Sequence, residues 1–204
     1  QVTQFDTTDI TELYKHYQLL KQKNINKKIK VSLIPFYIKS LIKVIKEFPS
    51  FNSSLNDDKS SLIIKKYINV GIAVDTINGL VVPVIKNCEA KSTKEISREL
   101  TTLANKAHKD KLAMDDIDGG TITVSSLGGI GGTYFTPIVL TNQAAILGFS
   151  KAEYKPIIEN NKIVKKLILP FSITFDHRII NGAEAAKFST RLGQLLSRIK
   201  RDKR

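Results

Sequence analysis

Cysteine and long apolar runs are scarce in this sequence. Cys88 is the only cysteine among 204 residues, so an internal disulfide is excluded and a reducing compartment such as the cytoplasm suits the chain. No apolar run reaches the ~18–20 residues that span a bilayer, and no signal peptide opens the chain. Cysteine and histidine do not occur at the spacing of a zinc site. We therefore expect no disulfide, no metal site and no membrane partner.

Acidic side chains are also few. The chain has 19 Asp and Glu residues and 32 Lys and Arg residues, which gives a net charge of +13. Such a balance indicates an anionic partner, and nucleic acid must be considered. The basic residues are spread along the whole chain, however, and no aromatic-rich RNA-recognition segment accompanies them. We expect no nucleic-acid partner, and a basic nucleic-acid-binding domain remains the less favoured alternative.

What the chain does contain is a composition typical of a globular domain. Hydrophobic residues make up 42% of it, which is enough to bury a substantial core without metals or disulfides. The sequence opens with Gln1-Val2-Thr3 and no initiator methionine. We interpret residues 1–204 as one domain, the C-terminal part of a longer chain.

Helical periodicity recurs in four stretches, each with apolar residues repeating at intervals of three or four. Several of them begin with residues that cap a helix. The first follows Asp9-Ile-Thr-Glu12 and runs to about Lys23, the second is capped by Ser32 with Pro35 in its first turn and ends at Phe48-Pro49, the third follows Ser92-Thr-Lys-Glu95, and the last follows Gly182.

Strands are predicted where β-branched residues cluster, at 62–65, 67–75, 80–85 and 121–126. Asn78-Gly79 between two of these runs is a strong hairpin signal, and Pro83 indicates an edge strand or a bulge. Residues 156–166 are interpreted as a polar hairpin loop. The glycine-rich loop at 127–132 is not a phosphate-binding P-loop, because no Gly-Lys-Ser/Thr follows it.

Polar residues of unusual density follow the alternating apolar segment that begins at Phe171. Asp176, His177, Arg178 and Asn181 lie where this predicted strand gives way to the last helix. Charged groups after a buried strand are costly unless they pair or take part in chemistry. A structural histidine is the alternative for His177, and an ion pair is the expectation for Asp176 and Arg178.

The arrangement Asp-His-Arg-x-x-Asn-Gly at 176–182 resembles the active-site signature of the dihydrolipoamide acyltransferases of 2-oxo acid dehydrogenase complexes. Segments 68–85 and 119–150 resemble the same family, whose fold is shared with chloramphenicol acetyltransferase. The resemblance implies an α/β, chloramphenicol acetyltransferase-like fold, with a central mixed sheet flanked by helices, that assembles as a trimer. It implies the acetyltransferase branch, which serves the pyruvate dehydrogenase complex.

Three catalytic residues are implied by this resemblance. His177 is the general base and Asn181 its neighbour, at a position where the family usually has Asp, although Asn also occurs in the acetyltransferase branch. The family's oxyanion-binding serine matches Ser125, which lies 52 residues before His177. Ser126 is expected to face the other side of the strand. The family forms its site between subunits, with the histidine from one and the serine from the next.

Substrates and partners follow from the same resemblance. Coenzyme A is the acyl acceptor, with Ser150 and Lys151 as candidate contacts, and the lipoyl group is carried on a separate N-terminal domain. The expected partners are the pyruvate dehydrogenase and dihydrolipoamide dehydrogenase components. A homotrimer is expected, and a cubic core is in doubt because the segment 198–204 is charged rather than apolar. A structural core with little activity, which only organises partner enzymes, is the main alternative.

Overall fold

The computed structural model describes residues 1–23 and 31–199. Helices and strands are both present. The helices are α1 (Thr11–Lys23), α2 (Ile34–Glu47), α3 (Thr93–His108), α4 (Met114–Ile117) and α5 (Gly182–Ser197). The strands are β1 (Val2–Asp9), β2 (Ser53–Leu55), β3 (Leu62–Ile64), β4 (Val70–Ile72), β5 (Val74–Thr76), β6 (Gly79–Val81), β7 (Val84–Ile85), β8 (Ile122–Ser126), β9 (Ala145–Phe149), β10 (Glu153–Glu159) and β11 (Lys162–Phe175). After β1, the strands occur in two consecutive runs, β2 to β7 and β8 to β11, separated by α3 and α4.

A mixed sheet forms the centre of the fold. Its strand order is β1-β11-β9-β8-β4-β7, and β10 pairs with the first part of β11. Strands β4, β8 and β9 are parallel, whereas β11 runs antiparallel to both of its neighbours β1 and β9. The predicted central mixed sheet is therefore present among the described residues.

Helices α2 and α5 cover one face of this sheet. Tyr37 of α2 stacks on Phe149 of β9 with ring centroids 4.3 Å apart, and the Thr8 hydroxyl of β1 donates to the carbonyl of Gly193 in α5 at 2.8 Å. Burying a large apolar side chain on such a face contributes roughly 1.5–3 kcal/mol, so this layer holds the helices in place.

The opposite face carries small polar side chains and is covered by the segment between β8 and β9. Thr123 donates to the side-chain oxygen of Gln143 at 2.8 Å. A Cβ atom on Gly148 would lie 2.5 Å from the Ser172 hydroxyl and 2.7 Å from the Phe135 ring, so glycine is required there. This packing fixes the sheet row that runs from Ser125 through Gly148 to Ser172.

Several local predictions are confirmed. The predicted hairpin joins β5 to β6: Ile77 and Asn78 form the turn, and Gly79, the first residue of β6, has the positive φ of +109° that favours glycine. Ser92 and Glu95 form both halves of a capping box at the start of α3. Helix α2 ends as predicted, with Phe48 as its C-cap.

Two local predictions are wrong, and a third is right in kind but not in extent. Ser32 does not cap α2, because Leu33 occupies the N-cap position and makes no side-chain cap. Asp9 was predicted to be the N-cap of α1, but it is the last residue of β1. Its carboxylate accepts from the backbone N–H of Thr11, the first residue of α1, at 2.8 Å. The polar hairpin predicted at 156–166 is present, but β10 and β11 pair from Glu153–Ile168 to Glu159–Lys162, so most of these residues belong to strands rather than to a loop.

Candidate active site

His177 lies just beyond the end of β11. The chain leaves the sheet where the Asp176 N–H donates to the carbonyl of Ala144 at 2.9 Å. A tight turn follows, in which the N–H groups of Ile179 and Ile180 both donate to the Asp176 carbonyl at 3.0 Å. His177 is exposed on this turn, with its ring 5.8 Å from that of Phe175. The imidazole is therefore accessible to a ligand rather than packed into the core.

Asp176 and Arg178 pair across this turn, as expected from the sequence. The Arg178 guanidinium donates to both carboxylate oxygens, with Nη2 2.6 Å from Oδ2 and Nε 2.9 Å from Oδ1. The Arg178 backbone N–H also donates to Oδ1 at 3.0 Å. The guanidinium hydrogen bond holds the pKa of Asp176 below its ordinary value. This pair fixes the backbone on both sides of His177.

We expect Arg178→Gln to reduce the free energy of unfolding at neutral pH only slightly, because the Arg178 side chain is 63% exposed and water screens its pair with Asp176. A carboxyl whose folded-state pKa lies below its unfolded-state value of ~3.9 stabilises the fold above that value. That stabilisation is lost as the pH falls through the folded-state pKa. Wild type and variant should therefore converge in acid, as measured by urea denaturation at a series of pH values. A deficit that stays constant down to the acid end would contradict the assignment.

Asn181 occupies the N-cap position of α5. Its side-chain oxygen accepts from the Glu184 backbone N–H at 2.8 Å, and its carbonyl accepts from the Ala185 N–H at 3.0 Å. The amide oxygen is thereby committed to the helix, and the amide nitrogen is the polar group left to face a ligand. Asn181 was predicted at the site from the family resemblance, whereas its cap was not predicted, although Asn at 181 with Glu at 184 is a capping signal.

Ser125 is the penultimate residue of β8 and is half-buried. It lies opposite Gly148 of β9, which in turn lies opposite Ser172 of β11. Because alternate residues of a strand face opposite sides, the Ser126 side chain points toward the face that packs on the helices. Gly148 has no side chain, and the Ser172 hydroxyl and the Phe135 ring occupy the space that a side chain there would need.

One chain does not bring Ser125 and His177 together. Ser125 is aligned with Ser172, two strands away, and Phe175 lies three residues further along β11. With strands ~4.8 Å apart and ~3.3 Å per residue, Phe175 is about 14 Å from Ser125, and His177 lies two residues beyond it. The two residues occupy opposite ends of the sheet. Within one chain the side chains of Ser125 and His177 are therefore too far apart to contact the same reacting atoms.

Ser150 and Lys151 follow β9 at the same end of the sheet as Ser125. The Ser150 N–H donates to the carbonyl of Pro170 at 3.0 Å, and its side chain is buried, with 3% exposure. Lys151 is exposed. The sheet thus places the candidate coenzyme A contacts beside the serine and away from the histidine of the same chain.

A cavity of about 540 Å³ lies beside the His177 turn. One wall is formed by Asp176, Arg178 and Ile179, and another by the segment 54–57 that includes the end of β2. The described part of the chain holds no group of three or more His, Cys, Asp and Glu side chains placed to bind a metal ion. Among the same residues, no helix has the length and apolar character needed to cross a bilayer.

The chain matches the family model of the 2-oxoacid dehydrogenases acyltransferase (catalytic domain) over residues 1–201. It is 47% identical over 200 residues to the dihydrolipoyllysine-residue acetyltransferase component of the pyruvate dehydrogenase complex from Cupriavidus necator. That match covers 98% of this chain and 36% of the relative, so the chain spans about a third of the length of that protein.

Solved structures show the same likeness. Dihydrolipoamide acetyltransferase from Azotobacter vinelandii, studied for the roles of a serine, a histidine and an asparagine in its catalytic mechanism, has a TM-score of 0.93 and 45% identity. The cubic core of a pyruvate dehydrogenase multienzyme complex has a TM-score of 0.93 and 46% identity. Both matches cover 97% of this chain and 81% of the other.

Chloramphenicol acetyltransferase shares the fold, with a TM-score of 0.65 at 15% identity over 96% of this chain and 87% of that one. At this identity the likeness concerns architecture alone, and it confirms the chloramphenicol acetyltransferase-like fold that the sequence predicts. The family match, by contrast, extends along nearly the whole chain. The chain therefore belongs to the 2-oxoacid dehydrogenase acyltransferases, and residues 1–201 match their catalytic domain.

Proposed function

We propose that this chain transfers an acetyl group between a dihydrolipoyl arm and coenzyme A in a pyruvate dehydrogenase complex. One observation carries the proposal. The serine, histidine and asparagine studied in the Azotobacter vinelandii enzyme are separated by 52 and 4 residues, and so are Ser125, His177 and Asn181. Because the two chains are 45% identical, this correspondence supports His177, Asn181 and Ser125 as the catalytic residues.

His177 would act as the general base. A free thiol titrates near ~8.5, whereas an imidazole with a pKa near ~6.5 is neutral and ready to accept a proton at pH 7. The imidazole accepts the thiol proton of coenzyme A. At the same time the coenzyme A sulfur attacks the carbonyl carbon of the acetyl thioester. The carbon–sulfur bond to the lipoyl arm then breaks, and the imidazolium returns the proton to the departing sulfur.

Ser125 and Asn181 would stabilise the transition state in different ways. The Ser125 hydroxyl donates a hydrogen bond to the negative oxygen of the tetrahedral intermediate. Asn181 is neutral and cannot compensate the charge of an imidazolium as a carboxylate would. Because its amide oxygen caps α5, its amide nitrogen is the donor that it offers to the reacting groups.

The assembly proposed is a homotrimer in which each site joins His177 of one subunit to Ser125 of the next. The separation of the two residues supports this arrangement, because His177 and Ser125 of one chain lie too far apart to act on the same thioester. Likeness to the cubic core at 46% identity favours further assembly of such trimers. The charged segment at 198–204 still leaves the cube in doubt, and residues 200–204 lie outside the described residues.

The remaining assignments belong to the same proposal. Residues 1–204 would be the catalytic domain at the C-terminal end of a longer chain whose N-terminal part carries the lipoyl group. Ser150 and Lys151 would contact coenzyme A at the edge that holds Ser125. The pyruvate dehydrogenase and dihydrolipoamide dehydrogenase components would be its partners, in the cytoplasm.

The experiment that tests the function is steady-state turnover of dihydrolipoamide with acetyl-CoA, compared with succinyl-CoA and isobutyryl-CoA. We expect the acetyl donor to give the highest kcat/KM, because the relatives are acetyltransferases. A higher value with either bulkier donor would reassign the acyl group. No turnover with any of the three would favour the alternative, a core that only organises its partner enzymes.

A further inference from the structure

Ser50 and Glu184 form a contact between two distant parts of the chain. Ser50 lies in the 3₁₀ turn Pro49–Asn52, and Glu184 lies in the first turn of α5. The Ser50 hydroxyl donates to the Glu184 carboxylate, and both residues are half-buried. A hydrogen bond to an ionised, partly buried acceptor is stronger than one between neutral groups. The contact therefore ties the start of α5 to the turn that precedes β2.

Glu184 is also the residue that holds Asn181. Its backbone N–H donates to the Asn181 side-chain oxygen at 2.8 Å. In a capping box the glutamate side chain would return to the N-cap backbone N–H, as Glu95 does to Ser92 in α3 at 2.7 Å. Glu184 instead accepts from Ser50 through its carboxylate, so the side chain of the residue that holds the Asn181 cap is bonded to a residue outside the helix.

The other end of the contact reaches the cavity beside His177. The Ser50 carbonyl accepts from the Ser53 hydroxyl at 2.6 Å, and Ser53 is the first residue of β2. The next residues, Ser54 and Leu55, line the cavity opposite Asp176 and Arg178. The Ser50–Glu184 contact thus connects one wall of the cavity to the helix that carries Asn181.

We propose that Glu184 and Ser50 are positioning residues for the acyl transfer, acting through the orientation of the Asn181 amide. The inference rests on the proposed function and deepens it. Glu184 need not touch the substrate, because its carboxylate is directed away to Ser50 while its backbone holds the cap. Its contribution is to keep the Asn181 amide nitrogen aimed at the reacting groups, where small misplacements are costly.

The test uses the assembled protein and its acetyltransferase turnover. We expect Glu184→Ala to lower kcat by about 10-fold to 100-fold with little change in KM for coenzyme A. Ser50→Ala should also lower kcat. Glu184→Gln keeps an oxygen that can accept from Ser50, so its kcat should be much closer to wild type than that of Glu184→Ala. Glu95→Ala is the matched control, since Glu95 holds the equivalent helix position in α3 and should leave kcat unchanged.

A second comparison separates positioning from general destabilisation. If Glu184 acts through Asn181, then Glu184→Ala should cost nothing further in kcat once Asn181→Ala is present. Losses that simply add would overturn the inference, and so would wild-type kcat in a folded Glu184→Ala protein. If that variant does not fold, wild-type kcat in Ser50→Ala would overturn it equally. Absence of turnover in the wild type would instead overturn the proposed function itself.

Discussion

Replacement of His177 by alanine should lower kcat for acetyl transfer by about 10²-fold to 10⁴-fold, the range that a positioned general base contributes. The reason is that the thiol of coenzyme A is mostly protonated at neutral pH and is a weak nucleophile until its proton is removed. His177 is exposed on a turn fixed by the Asp176–Arg178 pair, so the substitution should leave the fold intact. The measurement is steady-state turnover, with circular dichroism and oligomer size as checks on folding.

His108→Ala is the control for this experiment. His108 is exposed at the end of α3, and its loss should not affect turnover. In the His177→Ala protein the residual rate should rise with pH, because the thiolate of coenzyme A then forms without help. Wild-type kcat in His177→Ala would remove the general base from the mechanism and would return His177 to a structural role.

The fold was most predictable from the sequence where the determinants are local. The hairpin at Asn78-Gly79 and the Ser92 and Glu95 capping box each depend on residues within four positions of one another. The strand, turn and helix around His177 were also predictable from local sequence. The alternating segment that begins at Phe171 is followed directly by the polar residues 176–181. Such features require no knowledge of the rest of the molecule.

What the sequence did not predict depends on residues far apart. Strand β1 becomes recognisable only through its pairing with β11, since Val2 lies opposite Phe175. The β10 and β11 hairpin is exposed along most of β10, at apolar as well as charged positions, so it lacks the alternation of buried and exposed residues that indicates a strand. The Ser50–Glu184 contact joins residues 134 positions apart, and no periodicity indicates it. The family resemblance supplied Ser125 and His177 as a pair, but their separation in one chain required the sheet register.

Substitution of Ser125 by alanine is the second large effect that we expect, with kcat lower by about 10²-fold to 10³-fold, as for the loss of one oxyanion donor. Ser126→Ala is the matched control, since it removes the same hydroxyl from the next residue, which faces the opposite side of the sheet. The KM for coenzyme A should change little, because the hydroxyl is needed by the transition state rather than by the bound substrate. Equal losses in both variants would argue for a packing effect at the end of β8.

Mixing the two inactive variants tests whether the site is shared between subunits. Each variant supplies what the other lacks, because Ser125→Ala keeps His177 and His177→Ala keeps Ser125. If each site joins neighbouring subunits of a trimer, randomly mixed assemblies should contain about a quarter intact sites and regain a corresponding share of wild-type turnover. A site built within one chain would be defective in every subunit of the mixture. Recovery of turnover on co-assembly, and none on mixing preformed trimers, is therefore the outcome that the separation of Ser125 and His177 across the sheet demands.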